Sequence, residues 1–340
     1  MIASEDTAAD AHPRAVAALY GLAIGDALGM PTQSLPRDLI AHRYGWLNGF
    51  EPGPPDQPIA PGMRAGSVTD DTEQAVLLGR VLIAGNGHVD AHVLAQELLA
   101  WETEMRRRGS LDLLGPSTRA AVAAVAAGTA IEDAGRHGTT NGAAMRITPV
   151  GIAVPADDLP RLVDRVVEAS WVTHNTGVAL AGAAAVAAAV SSGIAGADTI
   201  AATAAAVHAA DQAGDRGHWV AAADVAARIR WATELVSGQA PEVAADTIYR
   251  LVGTSVATQE SVPAAFAALA VYPDDPWRAC LFAGSLGGDC DTIAAMVGAI
   301  AGATRGSEAF PDTALQTIDA VNRIPLSELA QGLLALRHGG

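Results

Sequence analysis

Apolar residues recur along this 340-residue chain at the three- and four-residue spacing of amphipathic helices, and glycine or proline separates the periodic segments. No run alternates between apolar and polar residues for long enough to predict a strand. The predicted helices cover residues 15–27, 73–84, 89–105, 117–127, 159–170, 177–191, 197–210, 219–236, 241–251, 262–270, 276–284, 292–303 and 326–337. The pattern predicts a compact all-α bundle.

A proline- and glycine-rich segment, residues 45–66, interrupts the helical pattern and predicts a long loop. Loops of this length in compact proteins are usually functional. Its Trp46 and Phe50 are expected near the mouth of a site, where the loop would close over a small ligand. Because no break in composition marks a boundary, a single domain is expected over residues 12–338, with residues 1–11 as a flexible amino terminus.

The composition supports closely packed helices. Half of the residues are hydrophobic but only 4% are aromatic, and alanine, the best helix former, dominates. The uncharged stretch 176–197 has the length of a membrane span. Its mixture of alanine, glycine and serine instead favours a buried helix that neighbouring helices approach closely.

The net charge of -16 argues against a nucleic-acid partner, since such binding depends on clustered lysine and arginine. Two cysteines, Cys280 and Cys290, do not form a disulfide framework, and the first residues do not resemble a secretion signal. A cytoplasmic protein without a membrane partner is expected, with a monomer as the favoured state.

Two acidic clusters stand at the start of predicted apolar helices, at residues 67–73 and 287–292. Each contains two aspartates and a threonine, and Gly287 and Gly288 precede the second pair. One interpretation is helix capping, in which each carboxylate accepts from backbone N–H groups. The other is Mg²⁺ binding, because a hard cation would neutralise carboxylates held together in an apolar cleft. Spacing alone leaves both open.

Five motifs in this order resemble the ADP-ribosylglycohydrolase family, which includes dinitrogenase-reductase-activating glycohydrolases and ADP-ribosyl-acceptor hydrolases. They are residues 21–29 (GLAIGDALG), 69–72 (TDDT), 141–146 (NGAAMR), 173–175 (THN) and 287–292 (GGDCDT). The resemblance implies the all-α fold of that family with a two-metal cleft. Asp26 follows an apolar helix face and is interpreted as a structural acid rather than a ligand.

The resemblance implies a binuclear site for two Mg²⁺ ions, with Mn²⁺ as a possible substitute. The first ion would be held by Thr69, Asp70 and Asp71, and the second by Asp289, Asp291 and Thr292. Cys290 stands where the family usually has threonine, between two ligands. Because a thiol is a poor Mg²⁺ ligand, Cys290 is expected to be a packed residue.

The implied activity is cleavage of the ribosyl glycosidic bond of an ADP-ribosylated protein or small molecule by a water bound to the metals. Asp70, Asp71 and Asp289 are the candidate catalytic residues. The candidate substrate-binding residues are Gln33, Asn141, Gly142, Ala143, Met145 and His174. An ordinary turn at residues 141–145 and a packing role for His174 are the alternatives.

Gln33 stands where many family members carry a glutamate near the metals. An amide is not a base, which leaves three alternatives: an aspartate (Asp70, Asp71 or Asp289) deprotonates the water, catalysis differs in this branch, or activity has been lost. Hydrolysis of a small N-riboside such as a nucleoside is the alternative activity. A non-catalytic ADP-ribose-binding or structural protein is the alternative of another class.

Overall fold

The computed structural model describes residues 6–339. Residues 1–5, the beginning of the segment expected to be flexible, lie outside the described residues. The first helices are α1 Asp6–Gly29, α2 Arg37–Tyr44, α3 Asp70–Ala84, α4 Ala91–Arg108, α5 Pro116–Ala126, α6 Ile131–Ala134, α7 Gly142–Met145, α8 Thr148–Ala153 and α9 Leu159–His174. The remainder are α10 Gly177–Ile194, α11 Thr199–Ala213, α12 Val225–Val236, α13 Pro241–Thr247, α14 Thr258–Val271, α15 Pro276–Gly284, α16 Cys290–Arg305, α17 Asp312–Asn322 and α18 Leu326–Gly339.

The fold is all-α, as the hydrophobic pattern predicts. Over residues 6–339 extended backbone pairs only at two isolated bridges, between Thr140 and Ala257 and between Thr176 and His218. One cluster of buried apolar side chains extends from α1 to α18, so the chain forms one domain around one core.

The pattern missed several short helices and misplaced one helix start. Helices α2, α6, α7, α8 and α17 were not predicted, because four of them have eight residues or fewer and show too few turns for periodicity to register. The helix predicted from residue 219 begins at Val225, where the Asp224 side chain accepts from the backbone N–H of Ala227. A π-helical turn, Ile248–Val252, ends the segment predicted as one helix over 241–251.

Helix α10 is the central element of the core. It is the one helix in the described part of the chain that is long and apolar enough to cross a membrane, and 94% of it is buried inside the protein. Its alanines pack against α9, α11 and α16. This environment is that of a buried helix, as its composition indicates.

Helices α1 and α16 lie unusually close together because glycines face each other along their contact. A Cβ atom built on Gly25 would lie 1.9 Å from the carbonyl oxygen of Ala294, and one on Gly21 would lie 2.0 Å from that of Gly298. The reverse contact, from Gly298 to the carbonyl oxygen of Gly21, would be 1.9 Å. The two backbones therefore touch directly, which only glycine permits.

The same approach continues to the carboxyl end of α1. A Cβ atom on Gly29 would lie 2.3 Å from the Cα atom of Asp291. The end of α1, which carries Asp26, thus meets the start of α16, which carries the second acidic cluster.

Replacing Gly25 by alanine is expected to lower the free energy of unfolding by about 3 kcal/mol or more, because the added methyl meets backbone that has no room to move. Gly214→Ala is the matched control: Gly214 is exposed, has helical dihedral angles at the end of α11, and a Cβ atom there would meet only carbonyl oxygens of α11 itself, at 3.3 Å or more. That variant should change stability by less than about 1 kcal/mol. Urea denaturation of both variants measures the difference, and equal stabilities would contradict the close approach.

Candidate metal centre and substrate cleft

Asp26 fastens the start of α3 to the end of α1. Its fully buried carboxylate accepts hydrogen bonds from the backbone N–H groups of Thr69 and Thr72, at 3.0 and 3.1 Å, and from both threonine hydroxyls. These are N–H groups that a helix leaves without partners in its first turn. A side chain from another helix therefore caps α3.

Asp112 caps the same helix from the other side. Its Oδ2 accepts from the backbone N–H of Asp70 at 3.0 Å. Asp112 lies in the turn between α4 and α5 and is 8% exposed. Because Asp26 and Asp112 cap α3, the aspartates at its start have side chains free for other partners.

The capping interpretation of the two clusters does not match this geometry. Neither Thr69 nor Asp289, the residues before α3 and α16, caps its helix with its side chain. Asp71 Oδ2 accepts from the Thr292 hydroxyl at 3.2 Å and lies 3.3 Å from the Thr69 hydroxyl, whose proton goes to Asp26. Asp71 Oδ1 and Asp291 Oδ1 are buried and have no hydrogen-bond partner within the described residues.

Two glycines shape the start of α16. Gly287 and Gly288 have φ of 87° and 72°, in the left-handed region that favours glycine. A Cβ atom on Gly288 would lie 2.3 Å from the carbonyl oxygen of Thr254, and that oxygen accepts from the backbone N–H of Asp289 at 2.7 Å. The tight turn brings Asp289 against Asn141, whose Nδ2 donates to Asp289 Oδ2 and to Ser261.

The acidic side chains are buried close together, where like charges repel one another. Burial, followed by the charges of neighbouring aspartates, holds the pKa values of Asp70, Asp71 and Asp291 well above their ordinary value. Burial also raises the pKa of Asp26 to about 6 and that of Asp112 to about 7. Burial raises the pKa of Asp289 too, and the hydrogen bond from Asn141 opposes the rise.

Four of these aspartates, Asp70, Asp112, Asp289 and Asp291, form the floor of a cleft of about 240 Å³. Asp70 and Asp289 are half-buried there, whereas Asp291 is almost fully buried. Two exposed apolar side chains, Leu111 at 60% and Val256 at 41% exposure, line the same cleft. The cleft therefore combines an acidic floor with apolar walls.

The structure brings most of the residues that the sequence singled out to this cleft. Those that line it are Gln33, Asp70, Asn141, Gly142, Met145, Asp289, Asp291 and Thr292. Thr69 lines an adjoining cavity, and Asp71 lies beneath the floor. Ala143 and His174 are buried, at 1% and 0% exposure, and do not line the cleft.

The long loop takes part differently from the expectation. Trp46 stacks on Phe282 with ring centroids 5.7 Å apart, and Phe50 packs edge-on against Trp277. Both aromatic residues therefore pack against α15, and it is Ile59 that the loop contributes to the cleft. Cys290 is fully buried, as expected of a packed residue, and burial raises its pKa to about 12.

The donor set fits divalent magnesium. The available groups are carboxylate and hydroxyl oxygens, which Mg²⁺ prefers. Two carboxylate oxygens, Asp71 Oδ1 and Asp291 Oδ1, lack any protein partner. Among residues 6–339 no three His, Cys, Asp or Glu side chains form a ready-made cage. Mg²⁺ does not require one, because it usually binds one or two carboxylates and keeps several waters.

Comparisons with known proteins agree over nearly the whole chain. The family model described as ADP-ribosylglycohydrolase matches residues 7–340. The chain belongs to the ADP-ribosylglycohydrolase family. It is 34% identical over 326 residues to the uncharacterized protein YegU of Escherichia coli, covering 96% of this chain and 97% of that protein.

A second relative and a solved structure carry family names. The chain is 27% identical over 348 residues to the ADP-ribosyl-[dinitrogen reductase] glycohydrolase of Rhodospirillum rubrum, covering 97% of this chain and 98% of that protein. A structure described as an ADP-ribosylglycohydrolase-related protein complex superposes with a TM-score of 0.71 and 25% identity, covering 96% of this chain and 99% of that one. The protein is therefore a glycosyl hydrolase of a family that hydrolyses ADP-ribosyl glycosidic bonds.

Sequence reasoning missed several residues of the ADP-ribosylglycohydrolase cleft. Asp112, Leu111 and Val256 lie in short loops between helices, outside any of the five motifs. The only signal at Asp112 is an acidic residue among leucines in a turn, and a solvated loop would show the same pattern. Its role depends on where the α4–α5 turn lies relative to α3, which a single sequence does not reveal.

The raised pKa values predict how the stability of the metal-free protein depends on pH. A carboxyl whose pKa is higher in the folded chain than in the unfolded chain stabilises the fold below the unfolded pKa of about 4. This contribution is lost as the pH rises through the folded values, about 6 for Asp26 and about 7 for Asp112. Stability in a chelator should therefore fall between about pH 4 and pH 7, by about 1.4 kcal/mol per pH unit for each proton released.

Denaturation at a series of pH values in EDTA measures this slope. Asp112→Asn should make it shallower, because one titrating carboxyl is removed. Asp215→Asn, at an exposed position outside the cleft, should leave it unchanged. A stability that is flat or rising between pH 5 and pH 7 in the metal-free wild type would contradict the electrostatic description.

Proposed function

We propose that this protein is a hydrolase dependent on a pair of divalent metal ions, Mg²⁺ or Mn²⁺, that cleaves the ribosyl glycosidic bond of ADP-ribosylated substrates. The observation that carries the proposal is the pair of unpartnered buried oxygens, Asp71 Oδ1 and Asp291 Oδ1, beside the cleft. A buried charge without a partner is costly, so such oxygens in a native fold call for a cation.

Two groups of oxygen donors would hold the ions. Thr69, Asp70 and Asp71 lie at the start of α3, and Asp289, Asp291 and Thr292 lie at the start of α16. The Thr292 hydroxyl donates to Asp71 across the two groups, so they adjoin each other. When bound, the ions would lower the pKa of water in the cleft and bind the ribose hydroxyls.

The protein's own side chains then act on the reacting bond. Asp70 and Asp289 face the cleft, where either carboxylate can accept a proton from the attacking water and return it to the departing group as the glycosidic bond breaks. As the glycosidic bond lengthens, positive charge develops on the ribose ring, and the surrounding carboxylates, Asp71 included, stabilise that charge. Asn141 orients Asp289 through the hydrogen bond from Nδ2.

The walls of the cleft favour a ligand with an apolar or planar part. Leu111, Val256 and Ile59 offer apolar contacts, and Arg119 is the one cationic side chain among the lining residues. Gln33 lies among these residues, 4% exposed, with an Nε2 that has no partner. A substrate oxygen would satisfy that donor, which agrees with a substrate-binding role for Gln33.

A second candidate substrate is a small N-riboside. The scarcity of cations around the cleft favours it, because a pyrophosphate would gain one side-chain cation, and Arg119 already contacts Glu102 at 3.4 Å. The ribosyl bond and the residues that act on it are the same for both substrates. The substrate panel below distinguishes them.

The direct test is release of ADP-ribose or ribose from ADP-ribosyl-arginine, ADP-ribosyl-serine and simple nucleosides. Turnover is expected with Mg²⁺ or Mn²⁺ and should be lost in EDTA. Asp289→Ala and Asp71→Asn should each lower kcat/KM about a hundredfold or more, because each removes a donor at the metal centre. Asp215→Ala, an exposed aspartate outside the cleft, should leave kcat/KM unchanged.

Turnover that persists in EDTA would contradict the metal dependence while leaving the hydrolase assignment intact. Tight binding of ADP-ribose and metal without turnover would instead point to a binding protein. Turnover of nucleosides alone would identify the small-riboside activity.

Gln33→Glu should tighten Mn²⁺ binding, because it adds an anionic oxygen where the wild type has a neutral amide beside the metal centre. Without metal the same variant should be less stable than the wild type near pH 7, because it adds a carboxylate to an acidic floor. Titration calorimetry with Mn²⁺ and denaturation in EDTA measure the two effects. Gln33→Met, which removes the polar group, serves as the control. Unchanged Mn²⁺ affinity in Gln33→Glu would place the residue away from the metals.

A further inference from the structure

Arg146 is the largest fully buried side chain in the described part of the chain, and it has no carboxylate partner there. Its Nη1 donates to Gln74 Oε1 at 3.4 Å, and its Nη2 donates to Thr173 Oγ1 at 2.5 Å. A buried guanidinium usually has an anionic partner, since burial without one is costly. Burial lowers its pKa to about 10, and the charge of Asp70 opposes the fall.

Arginine is only a donor, so it fixes the direction of every hydrogen bond that leads away from it. At Nη1, Arg146 requires a hydrogen-bond acceptor, and this requirement orients the Gln74 amide with Oε1 towards Arg146. The Nε2 of Gln74 then faces Asp70 and donates to Asp70 Oδ2 at 2.9 Å. This arm holds one oxygen of a cleft carboxylate from behind.

At Nη2, the hydrogen bonds lead from Arg146 through Thr173 to His174. The Thr173 hydroxyl accepts from Arg146 and lies 2.8 Å from His174 Nδ1 and 3.3 Å from the carbonyl oxygen of Ser170. An O–H···O bond is ordinarily about 2.7 Å, so the carbonyl is the poorer acceptor. Accepting from a cation also makes a hydroxyl a better donor. The Thr173 proton is therefore directed to Nδ1.

This direction determines the tautomer of His174. With Nδ1 as acceptor, the neutral imidazole carries its proton on Nε2, which lies 3.0 Å from the Thr140 hydroxyl. Burial and the charge of Arg146 hold the pKa of His174 well below its usual value, so the ring is neutral. Thr140 accepts from the ring, and its own hydroxyl proton has no other partner among residues 6–339.

Thr140 is half-buried and lines the cleft. We propose that Arg146 is a positioning residue that sets the donor-to-acceptor direction of the buried hydrogen-bond chain Arg146–Thr173–His174–Thr140. Thr140 is the end of this chain that faces the substrate, and its hydroxyl donates to an oxygen of the ribosyl ligand. The ligand-facing end rests on the proposed function. The chemistry recognised is an oxygen acceptor, such as a ribose hydroxyl or a phosphate oxygen.

The direction of the chain is tested without any substrate by ¹⁵N NMR of the histidine rings in the full-length protein near pH 7. The His174 signals are assigned by their loss in His174→Gln. A neutral ring protonated on Nε2 is expected. A ring protonated on Nδ1, or on both nitrogens, would overturn the proposal.

The ligand-facing end is tested by titration calorimetry with ADP-ribose in the presence of Mg²⁺. Thr140→Val, which removes the hydroxyl but keeps the shape, should weaken binding about three- to tenfold, the effect of one hydrogen bond. Thr173→Val, which does not touch the cleft, should weaken it to a similar extent. The double variant should be no weaker than either single variant, because both act through one contact.

Two further variants separate positioning from packing. Ser170→Ala removes another buried hydroxyl of the same helix, one without a hydrogen-bond partner, and should leave affinity unchanged. Arg146→Lys keeps the charge but loses the forked donor, so it should not preserve the hydrogen-bond chain. It should weaken ADP-ribose binding to the same extent as Thr173→Val. Additive effects of the two valine variants, or full affinity in Thr173→Val, would overturn the proposal.

These outcomes stay distinguishable from failure of the proposed function. If the wild type does not bind ADP-ribose, the ligand-facing end is overturned for that ligand, whereas the NMR experiment still decides the role of Arg146. If Thr173→Val does not fold, the wild-type tautomer and the Thr140→Val titration carry the test.

Discussion

The contact between α1 and α16 is the constraint on which the rest of the structure depends. Glycines on both helices allow carbonyl oxygens to lie where side chains would otherwise be, so the two backbones touch. At the end of this contact Gly29 meets Asp291. Asp26, three residues before Gly29, accepts hydrogen bonds from the start of α3. One close helix pair thus brings together two acidic clusters separated by more than 200 residues in the sequence.

The acidic floor is the electrostatic consequence of that contact. Two unit charges 4 Å apart interact by about 4 kcal/mol near a protein surface, and this floor contains several carboxyls. Their raised pKa values show that the fold alone does not favour all of them in the ionised form. A divalent cation would remove this repulsion, so the burial that destabilises the metal-free protein would also favour the proposed metal binding. The lower stability of the metal-free protein and its affinity for a cation would both arise from the buried carboxylates.

Much of the fold, and the aspartates at the starts of α3 and α16, were predictable from the sequence for identifiable reasons. Helices such as α10 and α16 are long and rich in alanine, and Asp70, Asp71, Asp289 and Asp291 lie in short motifs directly before helices. The tertiary partners were not predictable. Asp26 and Asp112 cap α3 from a distant helix and a turn, and the Trp46 and Phe50 side chains pack on α15 rather than at the cleft. Spacing along the chain carries no information about such contacts.

Two sets of residues behind the cleft act on different parts of the structure. Asp26, Asp112 and the glycine turn fix the backbone from which the acidic side chains project, and they do so by accepting N–H groups or permitting close approach. Arg146 instead acts on side chains, because a residue that only donates leaves its neighbours one allowed orientation. A site built from carboxylates has more hydrogen-bond acceptors than donors. A buried donor behind the site therefore determines which side-chain oxygen faces the interior and which remains available to the ligand. The fold thereby leaves the acidic oxygens at the cleft available, and the buried guanidinium of Arg146 orients the amide and hydroxyl groups around them.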